Sequence, residues 1–298
     1  MRHPRTARSV PRVPGAGSTG PQARPSGQPL PGSSRPVHGE GMPIHFHQSG
    51  EGPVALFVHG FPLDHSMWAA QVRGLGDMAT CVAPDLSGFG ASPHDGSERL
   101  SMERHADDLA RILDHLGVEQ ADVIALSMGG YVALAMWELH AERVRSIALV
   151  DTRSEADDAA GKDARDAARE RLGTIGRERF VEEMLPKLVG PNATPEVREE
   201  LMAMMTHTTH ETLSAALIGM RDRPDRSGLL ASIHVPSLVV CGELDVITPP
   251  ASARAMAAAI PGAELEIVEG VGHMAPMEAP DAVTAALRRF LVERVRRA

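Results

Sequence analysis

Short apolar runs alternate with longer stretches of helical period along most of this chain. The runs are Val54–Val58, Thr80–Pro84, Ala121–Leu126, Ser146–Val150, Ser237–Cys241 and Ala263–Val268, and Ile44–His47 precedes them as a short alternating strand. Runs apolar at successive positions suit strands covered on both faces, as in a parallel sheet. The stretches between them read as helices. Ser101 to Leu116 is amphipathic, with Ser101 placed as N-cap and Glu103, Asp107 and Asp108 early in the helix. Asp281 to Arg297 is a closing helix whose basic last turn suits the helix dipole. The alternation predicts an α/β fold, a mostly parallel sheet with helices on both faces.

Two segments break the pattern. Between Asp151 and Ile233 the strands stop, and four helical pieces replace them: Asp163–Leu172, Arg177–Leu188, Pro195–Met205 and His210–Arg221. Residues 153–232 therefore read as a helical insertion in a core made of residues 42–152 and 233–298. Its apolar positions include Met184, Leu188, Leu201, Met205, Leu213, Leu217 and Met220. Residues 1–41 are rich in Pro, Gly, Ser and Arg without apolar periodicity, the composition of a disordered extension. Met42 is a candidate for the true start. An edge strand ahead of Ile44 is missing or hidden near Val37 to Gly41.

Composition narrows the partners. The 298 residues carry a formal charge of −9. Arg2, Arg5, Arg8, Arg12, Arg24 and Arg35 face only Glu40 in the first 41 residues, so the negative excess lies on the remainder, which argues against nucleic acid. Aromatics make up 3% of the chain, too few for base-stacking platforms. No run of about 18 apolar residues predicts a membrane span, and no apolar core follows the early arginines as a secretory signal requires. A cytoplasmic protein is expected, with its oligomeric state left open. Cys81 and Cys241 fall inside strands and read as buried thiols rather than a disulfide.

The chemistry centres on Ala125-Leu126-Ser127-Met128-Gly129-Gly130. Here a buried strand turns sharply into a helix, with a serine among small residues. Such a turn strains the serine backbone and exposes its hydroxyl beside the helix N-terminus. A serine hydroxyl is a weak nucleophile that needs a base, and the base needs an orienting acid. Downstream, Asp245 follows the strand Ser237–Cys241, and His273 follows Ala263–Val268. Both sit just beyond strand C-termini, where open α/β sheets place their sites. Asp151 ends another strand and rivals Asp245 as the acid.

Further stretches complete a pattern. Val54–Val58 runs into His59-Gly60-Phe61-Pro62, Thr80–Pro84 runs into Asp85-Leu86-Ser87-Gly88-Phe89-Gly90, and Leu63 to Trp68 opens the first helix. With the serine turn and the Gly242-Glu243-Leu244-Asp245 turn, the chain from Met42 onward resembles the α/β-hydrolase superfamily. Its closest flavour is the small bacterial esterases, the 3-oxoadipate enol-lactonase-like hydrolases and the perhydrolases. The family's usual G-x-S-x-G has Ala125 in its first position here. The resemblance implies a Ser127–His273–Asp245 triad, with the backbone N–H groups of Phe61 and Met128 as oxyanion hole. It also implies a helical cap over the site, no cofactor and no metal. The expected substrate is a small carboxylic ester or lactone.

Several residues receive a structural reading instead. His59 supports the loop of Phe61, and Asp85, Gly88 and Gly90 make a turn. His207 and His210 lack partners at metal-ligand spacing, and no phosphate-binding glycine loop is present. With Met128 and Met274 flanking the site, the methionines and leucines of the insertion predict a permissive apolar pocket. Arg221 and Arg223 are the candidate anchors for a substrate carboxylate. The alternatives within enzymes are a proline aminopeptidase, a perhydrolase and a carbon–carbon bond hydrolase; the aminopeptidase needs acidic cap residues such as Glu182, Glu183, Glu199 or Glu200. A small-molecule receptor on the same fold is the alternative outside enzymes.

Overall fold

A computed structural model describes Met1, residues 33–37 and residues 43–293. Eight strands form one sheet: β1 (Ser33–Val37), β2 (Ile44–Ser49), β3 (Val54–Val58), β4 (Thr80–Pro84), β5 (Ala121–Leu126), β6 (Val144–Val150), β7 (Ser237–Gly242) and β8 (Glu264–Val268). Their spatial order is β1-β2-β4-β3-β5-β6-β7-β8. The first two pairings, β1 with β2 and β2 with β4, are antiparallel; every other pairing is parallel. All residues of β3, β5 and β7 are buried, which explains why these strands read as unbroken apolar runs.

The helices cover the strands in packed pairs. They are α1 (Ala69–Leu75), α2 (Met102–Leu116), α3 (Met128–His140), α4 (Ala159–Ile175), α5 (Arg177–Leu188), α6 (Pro195–His207), α7 (His210–Asp222), α8 (Pro250–Ala259), α9 (Ala275–Glu278) and α10 (Pro280–Glu293). α2 packs on α3, α1 packs on α10, and α8 packs on β7 and β8. The Ser101 hydroxyl caps α2 by accepting from Arg104 N at 3.2 Å. α3 is the central helix: every residue from Met128 to Trp137 is buried. The basic turn expected at the end of the last helix lies outside the described residues.

Four helices, α4 to α7, interrupt the sheet between β6 and β7. α4 packs on both α5 and α7, and α5 packs on α6. Each of α4, α6 and α7 opens on a side-chain cap, from Asp158, Thr194 and Thr209 respectively. α4 extends several residues beyond the 163–172 stretch at both ends, since the Ala-rich segment 159–162 continues the helix from the Asp158 cap.

One expectation changes. Residues 1–41 read as an extension without structure, yet Ser33–Val37 pairs antiparallel with β2, from Ser33 opposite Gln48 to Val37 opposite Ile44. The reason is the free edge of β2, whose backbone groups accept a partner strand whatever its side-chain pattern. Pro36 is tolerated because an edge strand has only one neighbour. The rest of the extension after Met1, 2–32 and 38–41, lies outside the described residues, as does Met42.

Candidate active site

The serine turn is built from close approaches. Ser127 has φ 53°, a left-handed conformation costly for a residue with a Cβ. Its N–H donates to Val150 O at 2.9 Å, and its carbonyl accepts from Gly130 N at 2.9 Å and from Thr152 Oγ1 at 2.7 Å. A Cβ on Gly129 would lie 2.5 Å from Val58 O and 2.7 Å from His59 O. The start of α3 is thus pressed against the end of β3, which explains the glycine at that position. Ala125 is fully buried within β5, paired with Val58 and Leu149, so its methyl fits the turn.

The two downstream candidates converge on this serine. His273 Nε2 lies 2.8 Å from Ser127 Oγ. His273 Nδ1 lies 2.7 Å from Asp245 Oδ2. The histidine and aspartate are 2% and 3% exposed, while Ser127 is partly accessible. Asp245 Oδ1 accepts from the N–H groups of Ile247 and Thr248 at 2.8 and 3.0 Å, and Oδ2 accepts from Thr248 Oγ1 at 2.7 Å. Burial alone would raise this carboxyl. The hydrogen bond and charge of His273, with the Thr248 donors, outweigh burial and hold it below its ordinary value.

Asp151 takes a different place. It is completely buried with φ 44°, the only non-glycine residue besides Ser127 at positive φ among the described residues. Its Oδ1 accepts from Gly242 N at 2.7 Å and its Oδ2 from Ala275 N at 3.2 Å. It therefore ties the loop of Asp245 to the loop of His273 and makes no bond to the histidine ring. Burial, with the Asp245 charge second, pushes its carboxyl well above the ordinary value.

The loop after β3 lies against the serine turn, where a Cβ on Gly60 would come 3.2 Å from Ser127 Cβ. Phe61 lines the same cavity as Ser127 and His273. Met128 N lies in the first turn of α3, where backbone N–H groups have no intrahelical acceptor. His59 is a buried bridge: Nδ1 donates to Gly60 O at 2.9 Å and Nε2 accepts from Leu86 N at 3.0 Å. Asp85 accepts from Ala91 N and His65 N, both at 2.9 Å, which closes its glycine turn.

A cavity of about 600 Å³ opens over Ser127. Phe61, Tyr131, Ile247 and His273 line its floor, and Met184, Leu188, Leu217 and Met220 line the side supplied by α5 and α7. Of the apolar positions expected there, Leu201, Met205 and Leu213 are buried elsewhere, as are Met128 and Met274. Helical period marks a buried face without saying which body it meets, so these residues serve packing. The wall is also more charged than expected, because Arg153, Arg165, Arg171, Lys187, Asp157 and Glu183 join it. Arg221 and Arg223 do not. Arg221 pairs with Asp222 and Asp166, and Arg223 is buried against Asp157. Of the acidic residues an aminopeptidase would use, only Glu183 lines the cavity, and it pairs with Arg171.

Sequence reasoning also passed over supporting residues. Thr248 sits three residues after Asp245, a spacing at which side chain and backbone close a local turn. Glu278 accepts from Gly272 N, Met274 N and Gly190 N at 3.0, 3.2 and 2.8 Å, and so fixes the His273 loop. Neither Thr152 nor Glu278 carries a local signal of its role. Two triplets of ligand-type side chains come together among the described residues, Asp64–His65–Asp85 and Asp151–Cys241–Asp245. The carboxylates of Asp85, Asp151 and Asp245 are already engaged by backbone N–H groups.

Residues 55–286 match the model of the alpha/beta hydrolase family. The chain belongs to that family. Among solved hydrolases it is similar to a thermophilic esterase from Thermogutta terrifontis, described with malate bound, at 36% identity and TM-score 0.83 over 88% of this chain and 98% of that one. It is also similar to the enol-lactonase from Burkholderia xenovorans, at 25% identity and TM-score 0.80 over 87% of this chain and all of that one. A curated relative is the dihydrolipoyllysine-residue acetyltransferase component of the acetoin cleaving system of Cupriavidus necator, 31% identical over 259 residues. That match takes in 82% of this chain but only 65% of the acetyltransferase component. No described helix is long and apolar enough to cross a membrane.

Proposed function

We propose that this hydrolase cleaves small carboxylic esters or lactones through an acyl-enzyme on Ser127. The observation that carries the reading is the continuous hydrogen-bonded line from Ser127 Oγ through His273 to Asp245, 2.8 and 2.7 Å long, at the floor of the cavity. Similarity to an esterase and an enol-lactonase supports the same substrate class.

In this reading Ser127 Oγ attacks the acyl carbon while His273 Nε2 takes its proton. Asp245 holds the Nδ1–H tautomer and stabilises the imidazolium; its depressed carboxyl keeps it ionised for that task. The N–H groups of Phe61 and Met128 stabilise the oxyanion, with the positive end of α3 behind them. Collapse breaks the bond to the alkoxy oxygen, which leaves with the proton from His273. Water then attacks the acyl-enzyme and gives one proton to His273. The acid departs, and that proton returns to Ser127 Oγ. The helices α4 to α7 act as a cap that shapes the acyl site through α4, α5 and α7.

Turnover of para-nitrophenyl acetate and butyrate by the native protein and by Ser127→Ala tests the reading. Loss of a nucleophile of this kind costs several orders of magnitude in kcat. Multiple turnovers by the native protein, with Ser127→Ala down by at least about 1000-fold, support the assignment. Residual activity within about tenfold of native overturns it.

A further inference from the structure

The charges on the cavity wall are not balanced. Arg171 and Glu183 answer one another through two bonds of 2.7 and 3.1 Å. Asp157 instead receives three guanidinium groups. Its Oδ1 accepts from Arg153 Nη2 and, at 3.0 Å, from Arg223 Nη2; its Oδ2 accepts from Arg165 Nε at 3.0 Å. Arg223 belongs to the framework: it is 4% exposed, donates to the carbonyls of Met220 and Glu155, and lies 4.1 Å over the Tyr131 ring. Arg153 and Arg165 line the cavity and stay 29% and 24% exposed. Glu155 and Asp225 answer Arg153 and Arg223 from outside the lining, and on the lining itself Arg153, Arg165, Arg171 and Lys187 meet only Asp157 and Glu183. Arg153 Nε is buried, and no described group accepts from it. This local positive excess stands in a chain whose net charge is −9.

We infer that Arg153 and Arg165, pinned by Asp157, form a carboxylate subsite inside the Ser127 cavity, so that the preferred substrates are esters or lactones bearing a carboxylate distant from the scissile bond. Guanidinium groups match a carboxylate in shape and present several donors each, of which Asp157 engages one per arginine. The positive excess on the lining suits an anionic group on the substrate. The apolar remainder of the cavity, Phe61 with Met184, Leu188, Leu217 and Met220, suits a short aliphatic link between carboxylate and ester. The inference rests on ester hydrolysis by Ser127 and names the substrate class for that site.

The test uses the mono-para-nitrophenyl esters of succinic, glutaric and adipic acids, each beside its uncharged methyl diester, with spontaneous hydrolysis subtracted. Nitrophenolate release gives kcat/KM for both members of each pair. The expected result is a preference of at least about tenfold for the anionic member of one pair, carried by KM, as a charge-assisted contact supplies. Arg153→Gln should lower that ratio about tenfold or more, and Arg153→Lys should restore part of it. Should Arg153→Gln fail to fold, Arg165→Gln reads the same ratio. Hydrolysis of the neutral diesters with no anionic preference in any pair overturns the subsite and leaves the esterase reading standing. A ratio unmoved by both arginine substitutions also overturns it. Failure to hydrolyse any ester removes the esterase reading, and the subsite with it.

Discussion

Carboxylate oxygens of Asp151 and Asp245 lie within 4.8 Å of each other, yet only Asp245 bonds the His273 ring. Asp151 spends both oxygens on backbone N–H groups of the two flanking loops. The pair thus divides: one carboxylate bonds the His273 ring, and the other fixes the loops that carry His273 and Asp245. Asp245→Asn should lower kcat on a nitrophenyl ester by about 10,000-fold through loss of the correct histidine tautomer. Asp151→Asn should cost about tenfold or less. Steady-state kinetics of both variants decide between the aspartates, and a larger loss for Asp151→Asn would reverse the assignment.

The same buried carboxyl sets a pH dependence of stability. Unfolded, Asp151 ionises near its ordinary 3.8; folded, burial and the Asp245 charge raise it well above that. Above about pH 4 the folded state therefore binds the extra proton, and stability falls as pH rises until the folded group ionises too. Asp151→Asn removes this loss. The melting temperature of the variant relative to the native protein should climb as pH rises from about 4 into the neutral range. Parallel melting curves across that window would show that Asp151 is not the titrating group.

Gly129 is a packing requirement that activity assays alone would misread. An alanine Cβ there meets the carbonyl oxygens of Val58 and His59, which belong to backbone and cannot turn aside. Overpacking of this kind costs about 1–3 kcal/mol. Gly129→Ala should lower the melting temperature by several degrees and reduce kcat, because relief of the clash moves Ser127 away from His273. A variant with native melting temperature would mean that the approach of α3 to β3 relaxes freely.

The serine turn was legible because its signals are local: a buried run, a turn with small residues two positions either side of the serine (Ala125 and Gly129), then a helix. Asp245 and His273 were legible for the same reason, each just past a strand. What escaped depends on contacts between distant segments. Arg223 reaches Asp157 across 66 residues of sequence, so an arginine that reads as a substrate anchor instead holds a carboxylate of the chain once the fold surrounds it. Glu278 is likewise a lone acid near a helix start until it collects three N–H donors. The apolar stripes of α6 and α7 marked buried faces, but a stripe carries no record of whether core or cavity lies opposite.

The strand Ser33–Val37 offers the last case, because nothing in its own sequence favours a strand. Its state comes from β2, which bonds β4 on one side and β1 on the other. A chain beginning at Met42 leaves β2 as an edge, with its outward N–H and C=O groups facing water. The loss of a five-residue pairing is offset in part by the backbone entropy that β1 no longer surrenders, so the net cost is about 1–3 kcal/mol. For a domain of this size that corresponds to a melting temperature lower by a few degrees. A chain beginning at Ser33 keeps the pairing and serves as the reference. The Met42 chain should melt earlier than the Ser33 chain and associate more readily through its bare edge. Its turnover per folded molecule should match, since β1 lies at the far end of the sheet order from β5, β7 and β8, which lead into Ser127, Asp245 and His273. Identical melting curves for the two chains would show that β1 contributes no stability, whereas a loss of turnover in the Met42 chain would tie this edge to the site.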